Sequence, residues 1–123
     1  MKYDLDLTPE DEAAVMAAMR PTGYRLLVAV AKIQEKQGSL YIPQQSKADE
    51  EVAAILGKVV AMGPDAYRDP AKFPEGEYCR PGDVIMMASY SGRRFKIGAR
   101  EFRLINDDTV MAVVANPEGI ERA

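Results

Sequence analysis

Gly57-Lys58-Val59-Val60-Ala61-Met62-Gly63-Pro64 is the stretch that decides the fold. Its interior is apolar and partly β-branched, and Gly63-Pro64 breaks regular structure, so it is a strand that ends in a turn. Upstream, Tyr24 to Ile33 carries a second apolar strand pattern whose centre is Arg25-Leu26-Leu27-Val28-Ala29-Val30. Downstream, Arg80-Pro81-Gly82-Asp83 is a tight turn that leads into Val84 to Met87. Arg94-Phe95-Lys96-Ile97 alternates, and Arg100-Glu101-Phe102-Arg103-Leu104-Ile105 does so in part; each predicts a strand solvated on one face. Asn106-Asp107-Asp108 turns the chain into a last apolar strand, Val110 to Val114. Asp65 to Pro81, with Tyr67, Phe73 and Tyr78 among its prolines, is a long excursion. A small hairpin is expected in it, with Pro74-Glu75-Gly76 near the tip. Short strands separated by Gly, Pro and Asp turns predict an all-β domain, a small barrel or sandwich.

The chain has 123 residues, 47% apolar and 28% charged, which suffices for one domain with a real core. No apolar run approaches the length that spans a bilayer, and no basic-then-apolar start is present, so a soluble, unexported, cytoplasmic protein without membrane partners is expected. The single cysteine, Cys79, rules out an internal disulfide framework. There is no histidine, which removes the commonest general base and, with the scarcity of cysteine, the usual ligands of zinc and copper. No metal or cofactor is expected. The net charge of −3 lies in residues 1–20, where five acids face two bases. The remainder is neutral, and a neutral body argues against nucleic acid as main partner, because that binding displaces counterions with surplus Lys and Arg.

Residues 1–21 form an N-terminal extension and residues 22–123 the β domain. Thr8-Pro9-Glu10-Asp11-Glu12 is a helix start, with a capping hydroxyl, a proline at the first helical position and acids at the positive end of the dipole. The helix is expected over 9–19, stopped by Pro21-Thr22-Gly23. It is short, and as a flexible or loosely docked extension it would bury little; the alternative is a docking arm or an interface cap.

Several chemical constellations compete with plainer readings. Asp107-Asp108 could be a catalytic pair, but Asn-Asp-Asp is an ordinary turn. Asp49, Glu50 and Glu51 are solvated charges in a connection. Cys79 has Arg80 beside it but no activating base, which favours a structural thiol. Ser91-Gly92-Arg93-Arg94-Phe95-Lys96 is basic with an aromatic, so a β-barrel binding single-stranded nucleic acid is the alternative function; a solvated hairpin is the plainer reading. The scattered glycines form no phosphate loop.

The connection between the two upstream strands, Gln34 to Ala54, is about twenty residues, far longer than an ordinary hairpin loop. It is polar and charged from Gln44 to Glu51, yet Leu40-Tyr41-Ile42 stands in its middle, between Gly38 and Pro43. An apolar triplet in a long loop either packs on its own barrel or meets a partner.

The order of these pieces resembles the GroES-type co-chaperonins, the ten-kilodalton chaperonin family. Gly38-Ser39-Leu40-Tyr41-Ile42-Pro43 is similar to the family's mobile-loop motif, with Ser39 in place of its second glycine. Gly57 to Pro64 resembles its Gly-Lys-Val-Val-Ala-Val-Gly pattern, and Arg80 to Ile85 its Val-Gly-Asp-Ile-Val strand entry. Glu101 to Val114 resembles its closing stretch. The resemblance covers roughly residues 22–116. The extension lies outside it, and the long excursion stands where the family has its roof hairpin. Such a divergent form is similar to co-chaperonins carried by bacteriophages, which would place it in a host cytoplasm.

The resemblance implies a small GroES-like β-barrel with a mobile loop and a roof excursion, assembled as a heptamer. That ring would cap the nucleotide-bound state of a GroEL-type chaperonin and close a chamber around unfolded substrate proteins, with no enzyme activity of its own. Gly38, Ser39, Leu40, Tyr41, Ile42 and Pro43 would make the chaperonin contact. Tyr24, Leu26, Val28, Val110, Ala112 and Val114 would join neighbouring subunits, and the excursion would point to the dome's opening. The energetics fit. Ordering a loop costs roughly 1–2 kcal/mol per residue, and burying each of three large apolar side chains returns roughly 1.5–3 kcal/mol. One loop should therefore bind weakly, and many must act together.

Overall fold

The computed structural model describes residues 2–34 and 43–123. In chain order its elements are β1 (Tyr3–Asp4), α1 (Pro9–Ala18), β2 (Arg25–Val30), β3 (Lys32–Ile33), α2 (Pro43–Ala53), β4 (Leu56–Met62), β5 (Val84–Met86), β6 (Arg93–Ile97), β7 (Arg100–Asn106) and β8 (Ala112–Val113). Six strands form one antiparallel sheet in the order β6-β7-β2-β4-β5-β8, and β1 pairs with β3 in a second, two-stranded sheet. The all-β expectation holds, with the ladder left open between β6 and β8 rather than closed into a hydrogen-bonded barrel.

β2 is the centre of the molecule. Five of its six residues are buried, because both faces of the sheet are covered there. Leu26, Val28 and Val30 join Val59, Ile85, Met87 and Ile105 in an inner core, closed by Tyr67, Phe73 and Cys79 of the excursion. Leu27 and Ala29 point to the other side and pack with Val15 of α1, Phe102, Phe95 and Leu104. A strand buried on both faces reads as a continuous apolar run, which is why Arg25 to Val30 shows little alternation. The ladder between β2 and β4 slips between Leu27 and Val28, pairing with Ala61 and Val59 in turn, so Val60 is the extra residue of a bulge.

The extension is docked, not loose. Thr8 Oγ1 accepts the Asp11 N–H at 3.1 Å, Pro9 opens the helix, and Val15 is fully buried on the sheet. The excursion contains no strand, so the expected hairpin is absent. It is instead a chain of turns that folds back on the core. Tyr67, Phe73 and Tyr78 stack on one another with centroids 4.9–5.2 Å apart. Rings at such separations and tilts prefer one another to water, and this supplies the burial that a hairpin would have obtained from pairing.

The second deviation is α2. The polar stretch after Pro43 is helical up to Ala53, which shortens the irregular connection. Gln, Lys, Ala and Glu are good helix formers, but only Val52 and Ala53 are buried on residues 47–53, so no amphipathic stripe announced it.

Glycine is required at Gly63. A Cβ there would collide with the backbone carbonyl of Gly23, while Gly63 N–H donates to Arg25 O at 2.8 Å and Asp65 N–H to Gly23 O at 2.9 Å. Two turns thus meet backbone to backbone at the start of β2. Gly63→Ala should destabilise the fold by about 1–3 kcal/mol, as overpacking against main chain does; a denaturant titration with unchanged midpoint would refute this close approach.

Candidate functional site

The residues expected to make the chaperonin contact, Gly38, Ser39, Leu40, Tyr41 and Ile42, lie outside the described residues, and Pro43 is the first residue of α2. The structure describes what holds the two flanks of residues 35–42. On the upstream side β3 pairs with β1, Tyr3 opposite Ile33 and Asp4 opposite Lys32, and Gln34 N–H donates to Lys2 O at 2.9 Å. On the downstream side Val52 and Ala53 of α2 pack against Tyr3, Ala31 and Leu56, with Val114 and Ile120 alongside. Lys2 pairs with Asp49 at 3.4 Å and Arg122 with Glu51 at 3.4 Å. Asp49, expected as a solvated charge, is largely covered in its pair, whereas Glu51 pairs while remaining exposed, as expected.

The two chain ends hold each other. The Glu118 carboxylate accepts the backbone N–H groups of Lys2 at 2.8 Å and Tyr3 at 3.4 Å, and the Tyr3 hydroxyl donates to Ile120 O at 3.5 Å. The amide of Lys2 holds the Glu118 carboxyl below the usual carboxylate range. Arg100 ties the next residues down, donating to Asp6 O, Asp4 O and Val30 O at 3.1–3.3 Å. Lys58 adds an ion pair to Asp6 at 2.6 Å.

Arg100 and Arg103 correct the reading of their strand as solvated on one face: both are buried. Arg103 lies fully buried beneath the turn that precedes β6, with Nη1 donating to Ala88 O at 3.2 Å and Ser91 O at 3.5 Å. Burial holds its pKa below the ordinary arginine value. Alternation of charged and apolar residues marks two faces of a strand but does not say that the charged one meets water.

The expected interface residues divide. Leu26 and Val28 are fully buried in the chain's own core, on a strand paired on both sides, so their side chains have no surface to offer a neighbour. Val110 is also buried, Val114 half-buried, and Tyr24 and Ala112 are exposed. Among the described residues β8 is hydrogen-bonded to β5 alone, through Ile85–Val113 and Met86–Ala112. Its Val113 and the adjacent Met111 are 51% and 68% exposed. An unpaired edge with large apolar side chains is the surface on which strands add, and sequence patterning alone had not separated Met111 and Val113 from their buried neighbours.

The competing chemistry does not assemble. Asp107 is buried: Oδ2 accepts the Tyr67 backbone N–H at 3.0 Å, and its carbonyl accepts the Tyr67 hydroxyl at 2.8 Å. This double tie holds Tyr67 at φ 59°, a left-handed conformation unusual for a bulky residue. Asp108 turns outward to Lys72 at 2.8 Å, so the two carboxylates do different structural work beside a cleft of about 520 Å³ lined by Tyr24, Arg68 and Phe73. No group of acids, cysteines or histidines suited to a metal ion occurs among the described residues. In β6, Arg94 forks onto Glu101 at 3.0 and 3.1 Å, and Phe95 stacks on Phe102 at 5.8 Å within the outer core. Arg93 and Lys96 are exposed, but the aromatic that would stack on a base is turned inward. Cys79 is buried 3.5 Å from the Tyr67 hydroxyl, and burial pushes its thiol pKa up.

Asp107→Ala should lower stability by about 1–3 kcal/mol, the cost of orphaning the buried Tyr67 amide, as read by denaturant unfolding; an unchanged midpoint would refute the tie. Cys79 should react with a thiol reagent at pH 8 on the order of a hundredfold more slowly in the native protein than in denaturant. Equal rates would show that the excursion does not seal it.

A family model described as chaperonin 10 Kd subunit matches residues 18–114 of the chain. The match begins at the last residue of α1 and ends before the tail that binds Lys2 and Tyr3.

Proposed function

Because the chain belongs to the chaperonin 10 kDa subunit family, we propose that it is a co-chaperonin that closes the folding chamber of an ATP-driven, GroEL-type chaperonin. The observation that carries the reading is the extent of the family match, residues 18–114, which takes in both the apolar triplet Leu40-Tyr41-Ile42 and the closing strand β8. In this reading Gly38 to Pro43 form the capture segment, with Leu40, Tyr41 and Ile42 entering an apolar site on the partner. ATP turnover belongs to the partner, and the chain itself is not an enzyme. Both would act in the cytoplasm.

Copies of the chain assemble through the open edge of β8, where Met111, Ala112 and Val113 are exposed, with Tyr24 as a further contact and Val110 and Val114 supporting the strand from below. Leu26 and Val28 serve this interface only by fixing β2. A ring of seven copies would supply the multiplicity that weak capture segments need. Its affinity then depends on simultaneous engagement, so a small change in each segment, repeated in every copy, switches capture on or off.

The native mass in solution should be a sevenfold multiple of 13.6 kDa; a clean monomer at working concentration would remove the avidity on which the reading depends. Leu40→Ser combined with Ile42→Ser should leave that mass unchanged and abolish capture by an ATP-loaded chaperonin. Normal capture by the double variant would refute the assignment of the segment.

A further inference from the structure

The strongest feature outside the family-matched residues is the contact between the two ends of the chain and α2. α2 is an element with little to hold it. Among residues 47–53 it buries only Val52 and Ala53, and an isolated helix of this length is marginal in water. It packs on Ala31, Ile33 and Leu56 within the matched residues, and the rest of its attachments come from residues that the match leaves out. Tyr3, almost fully buried, is the large side chain against Val52 and Ala53. Lys2 and Arg122 supply the ion pairs to Asp49 and Glu51. The same residues hold β3, through the Tyr3–Ile33 and Asp4–Lys32 pairing and the Gln34–Lys2 hydrogen bond. Glu118 and Ile120 lock this N-terminal strand in place from the other end of the chain.

We propose that residues 2–5 and 118–122 form a strap that fixes α2 against β3, and thereby sets the strength with which the protein captures its partner. Tyr3 is the positioning residue at its centre. The physical argument is preorganisation. β3 and α2 are the elements on either side of residues 35–42, and flanks that are already fixed do not have to be ordered when the partner binds. The backbone ladders of β2 with β4 and β7 do not run through the strap, although Arg100 of β7 donates to Asp4 O; loosening the strap at Tyr3 or at the Lys2–Glu118 contact would therefore weaken the seat of α2 before the sheet. The strap lies outside the family-matched residues, and it packs beside Val114 rather than on the exposed Met111 and Val113, so it acts on capture while leaving those two side chains free for assembly.

The inference about capture rests on the function proposed above, and the experiment separates the two. Tyr3→Ala, the conservative Tyr3→Phe and the milder pair Lys2→Ala with Glu118→Gln would be compared with wild type in three measurements: native mass, amide hydrogen exchange, and capture by an ATP-loaded GroEL-type chaperonin. In Tyr3→Ala, exchange across α2 should rise about tenfold or more while β2, β4 and β7 stay protected. Native mass should be unchanged, and capture should weaken about tenfold or more through its repetition in every copy. Tyr3→Phe, which keeps the ring and loses only a long hydrogen bond, should restore both. The Lys2/Glu118 pair should give an intermediate result even if Tyr3→Ala folds poorly. Full protection of α2 in both Tyr3→Ala and the Lys2/Glu118 pair would overturn the strap. Lost protection with unchanged capture would overturn its role in capture. Failure of wild type itself to be captured would overturn the proposed function, and hydrogen exchange alone would then decide the strap.

Discussion

The structure depends on one constraint: β2 lies in the middle of the sheet and is apolar on both sides. A sheet of this size can pack one face by curling over its own residues, but the second face must be covered by something else. Leu27 and Ala29 would meet water without α1, and the chain supplies Val15 and Met19 to meet them. At about 25 cal/mol per Å² of apolar surface, covering a strand's outer face contributes several kcal/mol, comparable with the net stability of a small domain. The extension is therefore part of the fold, although the family match begins only at residue 18.

That arrangement explains the buried arginines. Wrapping an extension and a turn over a sheet brings further backbone carbonyls into the interior. Arg100 collects three of them, from Asp4, Asp6 and Val30, and Arg103 two, from Ala88 and Ser91. A guanidinium suits this work because its donors fan out in a fixed plane and it sheds water more readily than an ammonium. Among the described residues neither faces a buried acid at close range; Arg100 has the half-buried Asp4 at 3.9 Å. Stranding a buried cation is costly, so the covering segments and the arginines require each other. Asp107 plays the matching part for the excursion, where a carboxylate takes up the amide of a residue held at positive φ.

Much of this was legible in the sequence and some was not, for identifiable reasons. The strands at Arg25–Val30 and Leu56–Met62 announced themselves because β-branched and apolar residues were concentrated between turn formers. The capping Thr8, Pro9 and three acids placed α1 to within a residue of its observed end at Ala18. α2 was missed because, among residues 47–53, it buries only Val52 and Ala53, and its partners Lys2, Tyr3, Ala31 and Arg122 are remote in sequence. The hairpin expected in the excursion gave way to an aromatic cluster because three rings could reach the open end of the core. The closing strand was legible as a strand, but which of its residues are exposed was not. Alternation identifies two faces, and only the strand order decides which strand is central and which is an edge. That is why Leu26 and Val28 proved to be core and Met111 and Val113 surface.

In the proposed function, the division between the family-matched body and the residues outside it has a functional consequence. A capture segment that bound strongly alone would not release, and one that bound very weakly would never engage, even in a ring. The useful range is narrow, because the burial of three apolar side chains and the ordering of about six residues nearly cancel. A difference of about 1.4 kcal/mol is tenfold in one equilibrium, and several copies engaging together amplify it. In such a balance the flanks matter as much as the contact residues, since whatever is already fixed before binding need not be ordered during it. The sheet cannot be altered to tune this without disturbing β2, on which both cores rest. The chain ends can, because they touch the flanks and leave the central ladder alone. Under the function proposed above, changes at Tyr3, Lys2 and Glu118 are thus the ones by which this architecture would adjust affinity.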